Sequence, residues 1–155
     1  MRLTDNFSLE ELTKSQVALR NGLLNVPSTE QVANLQRLCS EILQPLRDYV
    51  GPIVVNSGFR SPEVNVATGG SKTSDHCKGE AADIEAIEMD NRELAKYIKE
   101  NFKFDQLILE FHDEKDPRSG WVHVSLAATG NRNQVLRAFR GPDGKTKYEE
   151  YGSAI

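Results

Sequence analysis

The N-terminal third of the chain has the hydrophobic spacing of helices. Residues 8–11 form a capping-box pattern, which predicts a short helix that starts after Ser8. Residues 28–31 repeat this pattern, and apolar side chains then follow at helical spacing as far as Val50. This is the longest predicted helix. Pro45 lies within it, so we expect a kink or a break there before Gly51 ends the helix.

Beyond this helix, short apolar runs typical of strands replace the helical spacing. They predict four strands, at 53–55, 81–87, 104–111 and 121–126. One helix, from a capping box at Asp90 to about Asn101, lies between the second and third strands. The last two strands would pair as an antiparallel hairpin. This order favours an α+β fold in which a small, mostly antiparallel sheet packs against the N-terminal helices.

Two stretches of the chain lack such patterns. Residues 56–80 are polar and predict a long loop, and loops of this length in small domains are usually functional. From about residue 130 the chain is predicted to be a polar tail, in which 135–139 adds an edge strand. The length of 155 residues and the absence of repeats predict a single domain, 1–155.

Composition and charge exclude several classes of protein. The composition, 38% hydrophobic and 27% charged, is that of a soluble globular protein. The net charge of −4 gives no reason to expect nucleic-acid binding. No segment reaches the roughly 20 apolar residues of a membrane span, and residues 1–15 lack the apolar run of a signal peptide. We therefore expect synthesis in the cytoplasm and reduced thiols at Cys39 and Cys77.

Three residues in the second half of the chain are candidates for a metal site. Asp83 follows His76 by seven residues, and His123 lies 40 residues beyond Asp83. Two histidines and one carboxylate suit zinc, which in catalytic sites uses three protein ligands and keeps one position open. In the strand 121–126, His123 alternates with valines and leucine, so it faces away from the core. The alternative is an ordinary surface histidine, because this spacing alone is not specific.

A motif around the first two candidates carries a family resemblance. Residues 74–83 match the pattern S-x-H-x-x-G-x-A-x-D, and WVH at 121–123 supplies the second histidine. Together they resemble the M15 family of zinc D-Ala-D-Ala carboxypeptidases and related peptidoglycan peptidases, and 57–86 resembles the phage-type, endolysin-like subfamily. The resemblance covers about 5–128. It implies that His76, Asp83 and His123 bind Zn²⁺ on the open face of the sheet.

The resemblance also raises the question of the general base. Many family members carry an acidic residue three positions before the second histidine, where this chain has Gly120. Glu110, across the predicted hairpin from His123, is the predicted catalytic base, with a solvated strand-end carboxylate as the alternative. The acids of the loop (Asp113, Glu114 and Asp116) are less favoured. His112 is predicted to be a surface residue rather than a transition-state donor.

Other residues of the motif region have predicted roles in substrate binding. Arg60 resembles the family arginine that binds a substrate carboxylate or carbonyl oxygen. The alternative is a structural role, in which Arg60 stabilises the long loop. Ser74 is predicted to bind substrate or to stabilise a turn. Ser125 is one candidate acceptor for a ligand histidine. Cys77 is disfavoured as a nucleophile, because the adjacent His76 would point away from it on extended backbone.

These observations lead to three hypotheses about function. The first is a monomeric zinc metallopeptidase that cuts peptidoglycan stem or cross-bridge peptides, as a D,D-carboxypeptidase or an endopeptidase. We expect such a protein to act on the cell wall after release, as a phage or prophage lysis protein does. The second is a non-catalytic zinc- or peptidoglycan-binding phage structural or assembly domain, which Gly120 keeps open. The third is a zinc hydrolase of another amide, because fold does not determine substrate.

Overall fold

The structure is a computed structural model that describes all 155 residues. Its helices are α1 (Leu9–Thr13), α2 (Gln16–Asn21), α3 (Thr29–Leu38), α4 (Gln44–Val50), α5 (Pro62–Ala67) and α6 (Asn91–Asn101). Its strands are β1 (Arg2–Thr4), β2 (Phe7–Ser8), β3 (Ile53–Ser57), β4 (Ala81–Ala86), β5 (Gln106–Glu110), β6 (Trp121–Ser125), β7 (Gln134–Arg140) and β8 (Thr146–Glu150). None of these helices is both long enough and apolar enough to span a membrane.

Six strands form the main sheet, in the order β3-β4-β6-β5-β7-β8. All neighbouring strands are antiparallel except β5 and β7, which run parallel. The predicted hairpin is confirmed, because β5 pairs antiparallel with β6. The predicted α+β class with a mostly antiparallel sheet is therefore also confirmed. A separate two-stranded sheet, β1-β2, lies at the N-terminus and was not predicted, because such short strands carry no pattern.

The longest predicted helix is nearly continuous. Its N-terminus is a capping box in which Ser28 and Gln31 exchange side-chain to backbone hydrogen bonds. The irregularity expected at Pro45 takes the form of a π-helical turn, Cys39–Leu43, between α3 and α4. Proline cannot donate a backbone hydrogen bond, and a π turn just ahead of it lets the helix continue with a changed register.

The core lies between the helices and one face of the sheet. Val122 and Val124 of β6 and Ile84 of β4 are fully buried in one cluster with Leu38 of α3 and Ile98 of α6. This packing explains the alternation along β6, since the valines need apolar neighbours. The side chains that alternate with these residues along β4 and β6 face the other side of the sheet. The helices of the core cluster do not cover that side, so it is open to a ligand.

The prediction of a featureless loop at 56–80 is wrong. β3 extends to Ser57, α5 follows, and a short 3₁₀ helix occupies Asp75–Lys78. The start of α5 has a clear local cause, because Ser61 caps it by accepting the backbone N–H of Val64, and Pro62 occupies its first turn. The helix is too short to show hydrophobic periodicity.

The prediction of a polar tail with an edge strand at 135–139 is also wrong. This strand exists as β7, but it lies inside the sheet between β5 and β8. The edge strand is β8, whose residues are all exposed, so its sequence shows no buried face. Because β6 pairs with only one side of β5, the other side is free to accept β7.

Candidate metal centre

Two of the three predicted ligands are direct partners across neighbouring strands. The register of β4 and β6 pairs Asp83 with His123. Asp83 Oδ1 lies 3.0 Å from His123 Nδ1, and both residues are buried. His123 therefore faces away from the Val122 and Val124 side of β6, as alternation predicts, and Asp83 faces the same side of the sheet as His123.

The third predicted ligand comes from the 3₁₀ helix that precedes β4. Ser74 caps this helix by accepting the backbone N–H of His76 at 3.2 Å. Gly79 ends it with φ +74°, and a Cβ atom there would lie 2.5 Å from the Gln31 carbonyl oxygen. The tight turn then leads directly into β4 and Asp83. The glycine of the motif is therefore needed to bring His76 and Asp83 together.

The geometry of His76 selects the nitrogen that faces the cluster. Its Nδ1 donates a hydrogen bond of 2.7 Å to the Gly58 carbonyl oxygen. Its Nε2 lies 3.3 Å from Asp83 Oδ1. The Gly58 carbonyl thus fixes the ring orientation and the tautomer, as second partners of metal-ligating histidines do. Ser125, one candidate acceptor, instead bonds the backbone of Gln106.

The cluster fits a metal ion. One ligand atom from each of His76, Asp83 and His123 lies within 4.8 Å of the other two. Ligand atoms about 2.0–2.1 Å from a tetrahedral ion would be about 3.3 Å apart, close to the 3.3 Å and 3.0 Å separations from Asp83 Oδ1. Two imidazole nitrogens and one carboxylate oxygen are a donor set that catalytic zinc sites use.

Electrostatics favour the protonation states that metal binding requires at His76 and Asp83. Burial lowers the pKa of His76, which favours its neutral imidazole. Burial raises the pKa of Asp83, but the charges and hydrogen bonds of His76 and His123 outweigh it, so the net pKa is lowered. Asp83 is therefore a carboxylate, and His76 has a lone pair to offer. At His123, burial lowers the pKa, but the hydrogen bond and charge of Asp83 outweigh it, so the net pKa is raised.

The predicted base lies beside this cluster. Glu110 pairs with Trp121 across β5 and β6, and the Trp121 indole N–H donates to Glu110 Oε2 at 2.8 Å. Burial raises the pKa of Glu110, and the negative charge of Asp83 raises it further. Glu110 is thus a partly buried carboxylate that a hydrogen bond orients, rather than a solvated strand end.

The absence of an acid at position 120 has a steric cause. Gly120 has φ +69°, and a Cβ atom there would lie 1.9 Å from the Glu110 carbonyl oxygen. No side chain fits at that distance. The turn into β6 therefore requires glycine. The carboxylate beside the cluster is that of Glu110, which lies on the neighbouring strand β5.

A cleft of about 790 Å³ surrounds the cluster, and both predicted substrate-binding residues line it. Arg60 donates from Nη1 to Thr68 Oγ1 at 2.9 Å, and its Nη2 lies 3.8 Å from Asp83 Oδ2. Ser74 has the turn-stabilising bond described above. The loop residues set aside in the sequence (His112, Asp113, Glu114 and Asp116) do not line the cleft.

The cleft also contains residues that sequence reasoning missed. Side chains from the C-terminal hairpin, including Arg140 and Tyr148, line it together with the loop 68–71. The signal available was an alternating run at 134–140 followed by Gly-Pro-Asp-Gly at 141–144, which is typical of a hairpin.

Neither cysteine takes part in the cluster. Both Cys39 and Cys77 are free thiols. Burial raises the pKa of the Cys39 thiol to about 12, and burial also raises the pKa of Cys77. Both side chains are therefore protonated thiols, which are poor nucleophiles.

Comparison with known proteins agrees with this geometry. Comparison with curated proteins gives no match. A family model described as Peptidase M15 matches residues 5–125, which include the three clustered residues and Glu110 and end before the C-terminal hairpin. Since the match covers well over half of the chain, the protein belongs to the Peptidase M15 family.

Proposed function

We propose that the protein is a zinc metallopeptidase that hydrolyses peptide bonds of bacterial peptidoglycan, as a D,D-carboxypeptidase or an endopeptidase. The observation that carries the proposal is the convergence of His76, Asp83 and His123 within 4.8 Å, beside the partly buried carboxylate of Glu110. Membership in a peptidase family supports hydrolysis of a peptide bond. The wall substrate rests on the resemblance of 57–86 to phage-type peptidoglycan peptidases.

The three ligands, Glu110 and Trp121 have separate roles in hydrolysis. His76, Asp83 and His123 would hold the zinc ion, which when bound lowers the pKa of a water molecule and polarises the scissile carbonyl. Glu110 takes a proton from the attacking water and delivers it to the leaving amine. The Trp121 N–H orients the Glu110 carboxylate through its 2.8 Å hydrogen bond.

Arg60 and Ser74 are the proposed substrate contacts on one side of the cleft. The guanidinium of Arg60 matches a carboxylate or carbonyl of the peptide. Its bond to Thr68 and its approach to Asp83 hold it at the edge of the cluster. Ser74 lines the same cleft. We also propose that the protein acts on the wall after release, as phage lysis proteins do.

A non-catalytic binding domain was the main alternative, and its only support was the missing acid at position 120. That absence follows from the contact between Gly120 and the Glu110 carbonyl oxygen. The partly buried carboxylate of Glu110 is present on the adjacent strand instead. The geometry therefore favours an enzyme over a binding domain.

Hydrolysis of purified cell-wall sacculi tests the proposal. Zinc-loaded protein is incubated with sacculi, and the amino groups released are counted. We expect release by the wild type and by Glu114→Gln, a matched control whose acid lies outside the cleft. We expect loss of release in Glu110→Gln and in His123→Ala. No release by the wild type would contradict the peptidase and favour a binding domain.

A further inference from the structure

The C-terminal hairpin β7-β8 forms a second wall of the substrate cleft. Leu136 and Arg140 of β7 line the cleft, as do Thr146 and Tyr148 of β8. In the sheet order, this hairpin lies beyond β5, whereas Arg60 follows β3 at the opposite edge. A peptide bound over the metal cluster would therefore extend toward Arg60 on one side and toward the hairpin on the other.

The hairpin reaches the catalytic carboxylate through one cross-strand row. Glu110 pairs with Ala138, and Ala138 pairs with Tyr148. Ala138 therefore lies on the face of the cleft. Although its side chain is small, Ala138 is only 2% exposed, so neighbouring residues cover it. Although Tyr148 is largely exposed, partial desolvation raises its pKa, and the negative charges of Glu110 and Asp83 raise it further, which agrees with a position near both. The hairpin is thus part of the cleft.

One cation of this wall has no anionic partner. On the other face of the hairpin, Arg137 pairs with Glu149, and Lys147 pairs with Asp143. Arg140 forms no ion pair with any carboxylate of the chain, and it is exposed in the cleft. An unpaired guanidinium in a peptide-binding cleft is suited to a carboxylate of the ligand.

The arginine is also held in place. Its guanidinium carbon lies 5.1 Å from the centre of the Phe111 ring, and its Nη1 donates to the Gly144 carbonyl oxygen at 3.3 Å. Phe111 has φ +54°, a conformation that is rare for a bulky residue and that occurs often at functional sites. This conformation, directly after Glu110, places an aromatic ring beneath the arginine. Such pre-organisation lowers the entropic cost of binding an anion.

We propose that Arg140 binds a free carboxylate of the peptide substrate, on the side of the scissile bond opposite Arg60. This inference rests on the proposed function and specifies its substrate class: peptides that carry an acidic group on the hairpin side. Arg140 and the rest of the hairpin lie beyond the region that matches the family, 5–125, so this preference belongs to the hairpin of this chain. Amidation of that one carboxyl would remove the charge and weaken binding.

Binding of paired synthetic stem peptides tests this proposal. In each pair, one free carboxyl group is replaced by a carboxamide, and dissociation constants are measured by calorimetry. The protein is zinc-loaded and carries Glu110→Gln, so that the peptides are not cut during the measurement. We expect one amidation to weaken binding about tenfold. Arg140→Met should reduce that difference to less than about twofold, and Arg140→Lys should retain part of it.

Arg137→Met, on the same strand but the opposite face, is the matched control and should keep the full difference. The proposal is overturned if Arg140→Met discriminates as its parent does, if no amidation changes binding, or if no peptide binds. Hydrolysis of sacculi by the wild type is measured separately. If the wild type cuts sacculi but amidation does not change binding to the Glu110→Gln protein, only the role of Arg140 is contradicted. If the wild type cuts nothing, the proposed function is contradicted.

Discussion

Gly120 and Glu110 are in such close contact that a Cβ atom on Gly120 would lie 1.9 Å from the Glu110 carbonyl oxygen. The same Glu110 directs its carboxylate toward Trp121, the residue after Gly120. The close approach thus joins two features of the site. It excludes an acid from position 120, and it brings the strand that carries another acid next to the histidine strand.

Gly120→Ala should destabilise the fold strongly. A methyl group at this position must displace the main chain of β5, and it also strains a backbone with φ +69°. We expect the free energy of unfolding to fall by about 3 kcal/mol or more. Gly130→Ala is the matched control, because Gly130 has φ +73° with nothing within 4 Å. That variant should lose only about 1–2 kcal/mol, and equal losses in urea denaturation would contradict the steric account.

Trp121→Phe should impair catalysis without affecting metal binding. Phenylalanine keeps an aromatic ring near Phe111 but loses the N–H that bonds Glu110. We expect kcat/KM on soluble stem peptides to fall about tenfold, which corresponds to the loss of one hydrogen bond to a charged group. Zinc content should stay at the wild-type level. An unchanged kcat/KM would show that the indole does not position Glu110.

Asp83→Asn should abolish the stabilisation of the protein by zinc. The substitution keeps the shape of the side chain but removes the charge that lies between His76 and His123. We expect zinc affinity to fall by more than about 100-fold, because even the outer partners of ligands are worth 10–100-fold. Zinc should therefore raise the melting temperature of the wild type and of the control Asp75→Asn, but not that of Asp83→Asn. Equal shifts would exclude Asp83 as a ligand.

The ion pair between Asp105 and Arg132 should make stability depend on pH. The hydrogen bond and charge of Arg132 lower the pKa of Asp105 below its ordinary value of 3.8. A lowered folded-state pKa stabilises the protein above the ordinary value, and this stabilisation is lost as pH falls through the folded-state pKa. Arg132→Met should thus be less stable than the wild type at pH 7, and the difference should shrink below about pH 4. A difference that is independent of pH would contradict this assignment.

Local patterns in the sequence predicted much of the architecture and singled out three candidate ligands that the fold brings together. Capping boxes located α3 and α6, and alternation placed His123 on the face of β6 opposite the valines. These features depend on neighbours in sequence or on a single strand pairing. The catalytic and substrate-binding roles of Glu110, Arg60 and Ser74 remain predictions that the geometry supports.

The second wall of the cleft could not be predicted in the same way. β7 pairs parallel with β5, a contact between distant segments that no local pattern encodes. Strand β8 has polar side chains on both faces because it is an exposed edge, so it resembles a loop in sequence. Arg140 gains its proposed role only from the sheet order that brings this hairpin beside Glu110.

A crystal structure of zinc-soaked protein, with anomalous scattering recorded at the zinc absorption edge, tests the central claim most directly. The account predicts one strong peak on the cleft face of the sheet, about 2.0–2.2 Å from His76 Nε2, Asp83 Oδ1 and His123 Nδ1. The same peak should be absent from crystals of His123→Ala. A zinc ion held by other residues of the wild type, or no zinc at this cluster, would contradict the account.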